Sequence, residues 1–118
     1  MLPCLPSPGE NQSKGVHMAK VKITVVKKVN NKDMFGDNPP LGFTAIPECD
    51  RLELGQRFIS EGGCPEGFCA WAFADIQRDI THLRLGGDYP WMKQKGTILS
   101  CCTDGVRPVI FKLERIEE

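Results

Sequence analysis

Val21, Ile23 and Val25 alternate with Lys22 and Thr24, and near the other end Val109, Phe111 and Leu113 alternate with Ile110, Lys112 and Glu114. An apolar side chain at every second position is the period of a strand with one buried face. The β-branched residues that fill the first of these segments suit that conformation. A chain with such a strand at each end has to build a sheet and then cover one of its faces.

The cover is written between Cys69 and about Leu85. Phe73, Ile76, Ile80 and Leu83 fall on one side when projected at about 100° per residue, the stripe of an amphipathic helix facing a core. Pro65 and Gly67 precede the segment and Gly86-Gly87 follows it, as start and stop signals for a helix do. Gln56 to Ser60 and Thr97 to Cys102 are further strand candidates. Thr103-Asp104-Gly105 is a turn signal that makes the last two strands a hairpin. The lysines of the first strand and the acids of the last (Glu114, Glu117, Glu118) suit neighbouring strands. The expectation is an α+β domain, a small antiparallel sheet of about four or five strands packed on one main helix.

Two stretches stand outside this pattern. Residues 30–48 hold three prolines and two glycines, a long irregular connection of the kind that often carries function. Residues 1–17 show no periodicity and are expected to be a disordered leader. Lys14-Gly15-Val16 reads back as a purine-rich ribosome-binding sequence just upstream of the Met18 codon. The native protein is thus expected to start at Met18, leaving one domain over residues 18–118.

Fifteen basic residues balance fifteen acidic ones, so the counterion release that drives nucleic-acid binding has no global charge to act on. No apolar run reaches the roughly 20 residues of a membrane span, and the start lacks the layout of a signal peptide. Neither nucleic acid nor a membrane is an expected partner, and a cytoplasmic location is expected.

Beyond Cys4, the cysteines are Cys49, Cys64, Cys69, Cys101 and Cys102. An odd set without a secretion signal points to thiols or metal ligands more than to a disulfide framework. Cys64 and Cys69 are spaced C-x-x-x-x-C, not the C-x-x-C of zinc knuckles. Cys101 and Cys102 project to opposite faces if their strand runs through both. One is therefore expected to pack as a small apolar group, and Cys102, beside the turn, to face the site. Cys69 opens the helix, where free backbone N–H groups favour thiolate while apolar surroundings oppose it. Cys49, Cys69 and Cys102 are the candidate ligands of zinc or another soft metal, with Asp104, Cys64 or His82 as a fourth.

Opposite the apolar stripe, Trp71, Asp75, Arg78 and His82 recur at i, i+4, i+7 and i+11. The bland reading is a solvated face with an Asp75 to Arg78 pair. Trp71 fits it poorly, and the loop of Tyr89, Pro90, Trp91 and Met92 is its expected cover. Asp104 and Arg107 read most simply as turn residues, yet both flank Cys102. Trp71, Asp75, Arg78, His82, Trp91, Asp104 and Arg107 are the candidate ligand or interface residues.

Cys49, Gly55 and Phe58, then Pro65-x-Gly67-x-Cys69, Gly86-Gly87, Cys102-x-Asp104 and the closing VIFKLERIE resemble a family of short, functionally uncharacterised bacterial and archaeal proteins. The resemblance spans about Val21 to Ile116. It implies the same three cysteines and no established activity. A His that many members carry a few residues after the first cysteine has no counterpart in Asp50 to Leu54, which puts any role needing that imidazole in question.

Three functions compete on these residues. One is a cysteine-centred site that binds a soft metal or acts as a thiol cluster. Another is a non-catalytic module that assembles into a homo-oligomer through Trp71, Tyr89 and Trp91. An enzyme using a cysteine nucleophile with Asp75, Arg78, His82 and Asp104 ranks last, because no recognised motif joins them.

Overall fold

A computed structural model of the chain describes residues 18–37 and 48–116; the expected leader, most of the long connection and the last two acids lie outside the described residues. Six elements follow in order: β1 (Lys20–Lys28), α1 (Asn31–Phe35), β2 (Arg57–Ser60), α2 (Ala70–Arg84), β3 (Thr97–Cys101) and β4 (Val109–Ile116). The four strands form one antiparallel sheet in the order β2-β1-β4-β3. The architecture is the expected one, α+β with one main helix, α2, against the sheet.

The two alternating segments are the two central strands. Val21, Ile23 and Val25 of β1 and Val109, Phe111 and Leu113 of β4 are buried on the face that α2 covers with Ala72, Ile76, Ile80 and Leu83. The opposite face is polar through its middle. Lys22 pairs with Glu114 across β1 and β4, at 3.5 Å, so the charge pattern that suggested neighbouring strands is realised there. The register slips between Val25 and Lys27; Val26 is the extra residue of a bulge and is exposed.

α1 was not expected in the irregular connection. The side chain of Asn30 caps it by accepting from the Asp33 N–H at 2.8 Å, and Asn31, buried, donates from Nδ2 to the Val106 carbonyl at 3.1 Å. A single capped turn has no apolar stripe, so periodicity could not reveal it.

α2 ends where its glycines stand. Gly86, at φ +90°, donates to the Leu83 carbonyl and Gly87 to that of His82, the paired bonds that close a helix on a left-handed residue. Arg115 of β4 braces this end: Nη1 donates to the Gly87 carbonyl at 2.6 Å and Nη2 to Asp88 Oδ1 at 3.0 Å. That contact, with the Gly96 N–H, holds the Asp88 carboxyl below its usual range. A depressed carboxylate stabilises the fold above its unfolded value, near 3.9, and the effect is lost as pH falls through the folded value. Asp88→Asn should therefore be less stable than wild type at neutral pH, with the gap narrowing on acidification. Denaturant unfolding across the acid range measures it; a gap that does not change with pH would count against Asp88.

Candidate functional site

The hairpin of β3 and β4 resolves the adjacent cysteines. Ile98, Ser100 and Cys102 share the face toward α2, and Leu99 and Cys101 share the other. Cys102 is buried and Cys101 is exposed. The expectation that the neighbour of Cys102 packs as a buried apolar group is thus corrected. The main helix covers one face of the sheet, and among the described residues no helix covers the face that carries Cys101.

Cys102 lies at the end of β3, where its N–H donates to the Val109 carbonyl at 3.1 Å and its Sγ accepts from the Val109 N–H at 3.3 Å. Burial pushes its thiol up; the backbone donors of Val109 and Asp104 pull against that, and the Asp104 and Asp75 charges add to it. Cys102 is therefore a protonated, hydrogen-bonded thiol at neutral pH.

Cys69 is the N-cap of α2, one residue before the helix proper, and its side chain makes no capping bond. Phe68 places it: this ring is fully buried between Phe58 and Phe111, with centroids 5.0 and 5.3 Å away. The turn before it needs Gly67 at φ +81°, backbone that side-chain-bearing residues rarely adopt. Cys49 arrives on the segment leading to β2. Leu52 pins that segment in the core, and Lys28 Nζ donates to the Leu52 carbonyl at 2.9 Å.

These three segments meet. Cys49, Cys69 and Cys102 line one recess beside Trp71, Asp104 and Arg107. Its volume is about 20 Å³, space for one water-sized guest and far too little for an organic substrate. The walls are largely apolar, with Leu52, Ala72, Val109 and Phe111 behind the sulfurs. Cys49 is half-buried and the other two are buried. Among the described residues, no group of three His, Cys, Asp or Glu side chains is arranged to hold a metal ion, so the donors as they stand do not form a zinc cage. Asp104 at the rim is a turn residue first: its Oδ1 accepts from the Val106 and Arg107 N–H groups at 2.9 and 3.2 Å, and its Oδ2 lies 3.5 Å from Arg107 Nε.

The polar face of α2 does not act as one surface. Asp75 accepts from the Thr103 N–H at 2.7 Å and from its hydroxyl at 3.0 Å, while Trp71 Nε1 donates to the same hydroxyl at 3.2 Å. Trp71 stays 55% exposed; the end of β3, not the aromatic loop, is its neighbour. Arg78 lies 3.9 Å from Asp79, the adjacent acid, so the expected Asp75 to Arg78 pair is replaced. His82 Nε2 donates to the Asp88 carbonyl at 3.0 Å and its ring packs at a tilt against Tyr89, which touches Trp91 in turn. A Cβ at Gly87 would collide with the His82 ring as it stands, so a larger residue there would displace the imidazole.

The chain matches no family model, no curated protein and no solved structure. The site is therefore read from its own residues.

Asp75, Arg78 and Trp91 line a second, wider groove of about 610 Å³ along the open edge of β3. His82 lines neither concavity. The sequence reading missed two residues. Thr103, which joins Trp71 to Asp75, carried no signal beyond its turn. Asp79 did: it sits within the apolar stripe between Ile76 and Ile80, and an acid there needs a buried partner. The partner is the Tyr89 hydroxyl, donating at 2.7 Å.

Proposed function

We propose that the protein is a thiol-centred binding module that captures a small, soft ligand, a thiophilic metal ion, in the recess of Cys49, Cys69 and Cys102. The observation that carries this reading is the convergence of three cysteines from three remote segments on one recess of single-ion size. Soft sulfur donors select soft cations. The resemblance noted in the sequence picks the same three positions. A reducing, cytoplasmic setting that keeps thiols reduced belongs to the same reading. Cys102 releases its proton on binding, so capture strengthens as pH rises. Small shifts of Cys49, the least buried of the three, complete the donor set.

The test is residue-resolved alkylation of native, tag-free protein with and without one equivalent of Cu(I) or Cd²⁺, beside metal content after purification without chelator. Cys101, exposed and outside the recess, should label rapidly in both states and serves as the internal control. The ion should protect Cys49, Cys69 and Cys102 together, and Cys102→Ser should remove the protection of Cys49 and Cys69. An ion that leaves the three labelling rates unchanged would overturn the proposal and leave these cysteines as packing residues.

A further inference from the structure

The face of the sheet turned away from α2 carries an uneven charge. Residues paired across strands share a face, so the register lays out this surface. Thr24, half-buried on β1, pairs with Arg57 of β2 and with Lys112 of β4. Along β1 the neighbours of Thr24 on the same face are Lys22 and, past the bulge, Lys27, which pairs with Ile110. Four cations from three strands therefore surround one threonine. Directly paired positions stand about 5 Å apart, and same-face neighbours along a strand about 7 Å.

The fold supplies one acid to this group. Glu114 pairs with Lys22 in the register, and its Oε1 lies 3.5 Å from Lys22 Nζ and 3.4 Å from Lys112 Nζ. Lys27 and Arg57 are exposed and take no share in that contact. Glu61 lies farther out, 3.3 Å from Lys20. One carboxylate oxygen shared by two ammonium groups leaves the patch strongly positive, in a chain whose total charge is zero. Like charges on neighbouring strands repel, and an anion from outside relieves that repulsion. Aliphatic side chains flank the patch on both sides. Ile59 of β2, 44% exposed, pairs with Lys22, and Leu99 of β3, 56% exposed, pairs with Lys112.

We propose that this face docks an acidic protein segment, with glutamates or aspartates over the four cations and aliphatic side chains against Ile59 and Leu99. Charge complementarity sets the sign of the partner. The aliphatic flanks select a polypeptide, in which acidic and apolar side chains alternate freely. A single-stranded nucleic acid would find no aromatic ring to stack on among the residues that the strands place on this face, and Glu114 would oppose its phosphates. The recess of Cys49, Cys69 and Cys102 lies on the α2 side of the sheet, so the proposal does not depend on it.

Fluorescence anisotropy at low salt tests this with a labelled peptide in which three glutamates alternate with serines between two terminal leucines. Wild type should bind it, and binding should weaken as salt rises. Arg57→Glu combined with Lys112→Glu should weaken it about tenfold or more. Lys93→Glu combined with Lys95→Glu changes the net charge equally, on the loop before β3, and should leave the affinity within about twofold. All four positions are exposed, so both double variants should keep the wild-type melting transition. The same peptide with lysines in place of its glutamates should bind the first double variant better than wild type. Wild type that ignores the acidic peptide, or an equal loss in the two double variants, overturns the proposal. A thymidine oligonucleotide or phosphatidylserine vesicles held more tightly than the peptide, through Arg57 and Lys112, would assign the patch to nucleic acid or to a membrane and overturn it. So would a salt-sensitive wild-type dimer that the first double variant abolishes, since a second copy would then be the partner.

Discussion

Phe68→Ala should lose about 3–5 kcal/mol of stability, the cost of removing a large ring from a packed core and leaving a cavity. The ring is fully buried and sits at the junction of sheet and helix, edge-on to Phe58 and tilted against Phe111. Three segments lean on it: β2 through Phe58, β4 through Phe111 and the start of α2 through its own backbone. None can close the void without giving up contacts elsewhere. Domains of this size are typically stable by about 5–15 kcal/mol in all, so the variant should melt far below wild type. Urea unfolding gives the difference. The site should report the loss as well, because Phe68 is bonded to Cys69. Alkylation of Cys69 should accelerate in the variant under conditions where it is still folded, while Cys101 reacts as before. A loss under about 1 kcal/mol would mean that the junction repacks and that Cys69 is positioned by other contacts. Phe68→Leu, which keeps most of the volume, should lie between the two.

The parts of this molecule legible in the sequence are those whose environment has two sides. Val21, Ile23 and Val25 betray a strand because one face is wet, and Ile76, Ile80 and Leu83 betray a helix for the same reason. Lys22 and Glu114 even indicated which strands adjoin. Periodicity says nothing of a capped turn such as Asn31–Phe35, whose sequence signal is the N-cap Asn30, which accepts from the Asp33 N–H. The site was half legible. The strand period separates Cys101 from Cys102 correctly; with one main helix against the sheet, the face opposite Cys102 lacks that cover, and Cys101 on it is exposed. The face of α2 with Trp71, Asp75, Arg78 and His82 was read as a unit because the four share a projection. Tertiary contacts divide it, with Thr103 taking the first turn and the Asp88 carbonyl taking His82. A helical wheel carries no information about where a neighbouring strand ends.

Tyr89 should remain un-ionised in the folded protein well past the pH at which a free phenol titrates, near 10. Burial is the main cause, and the Asp79 carboxylate that accepts its hydrogen bond and repels its anion is the next; Arg78 opposes them weakly. Tyr89 is the chain's single tyrosine, so tyrosinate absorbance reads this group alone. The folded value lies above the unfolded one, and the fold therefore favours the neutral phenol. That contribution is fully present below about pH 10 and is lost as pH rises through the folded value. Wild type should gain its tyrosinate signal only as it unfolds in alkali. Asp79→Asn keeps the burial but removes the charge, so its Tyr89 should ionise at lower pH than wild type while the protein is still folded. Tyr89→Phe leaves the Asp79 carboxylate buried without its hydroxyl donor, a loss of about 1–3 kcal/mol at neutral pH, and the deficit should shrink above about pH 10, where ionisation of the phenol in the unfolded chain lowers wild-type stability. Tyrosinate appearing near pH 10 in folded wild type would mean that the hydroxyl faces water and that Asp79 is held in the apolar stripe of α2 by something else. The same pair anchors the loop that presents Trp91 to the groove along β3. Tyr89→Phe should therefore loosen Trp91, and a fall in tryptophan emission anisotropy would register the link between this bond and the loop.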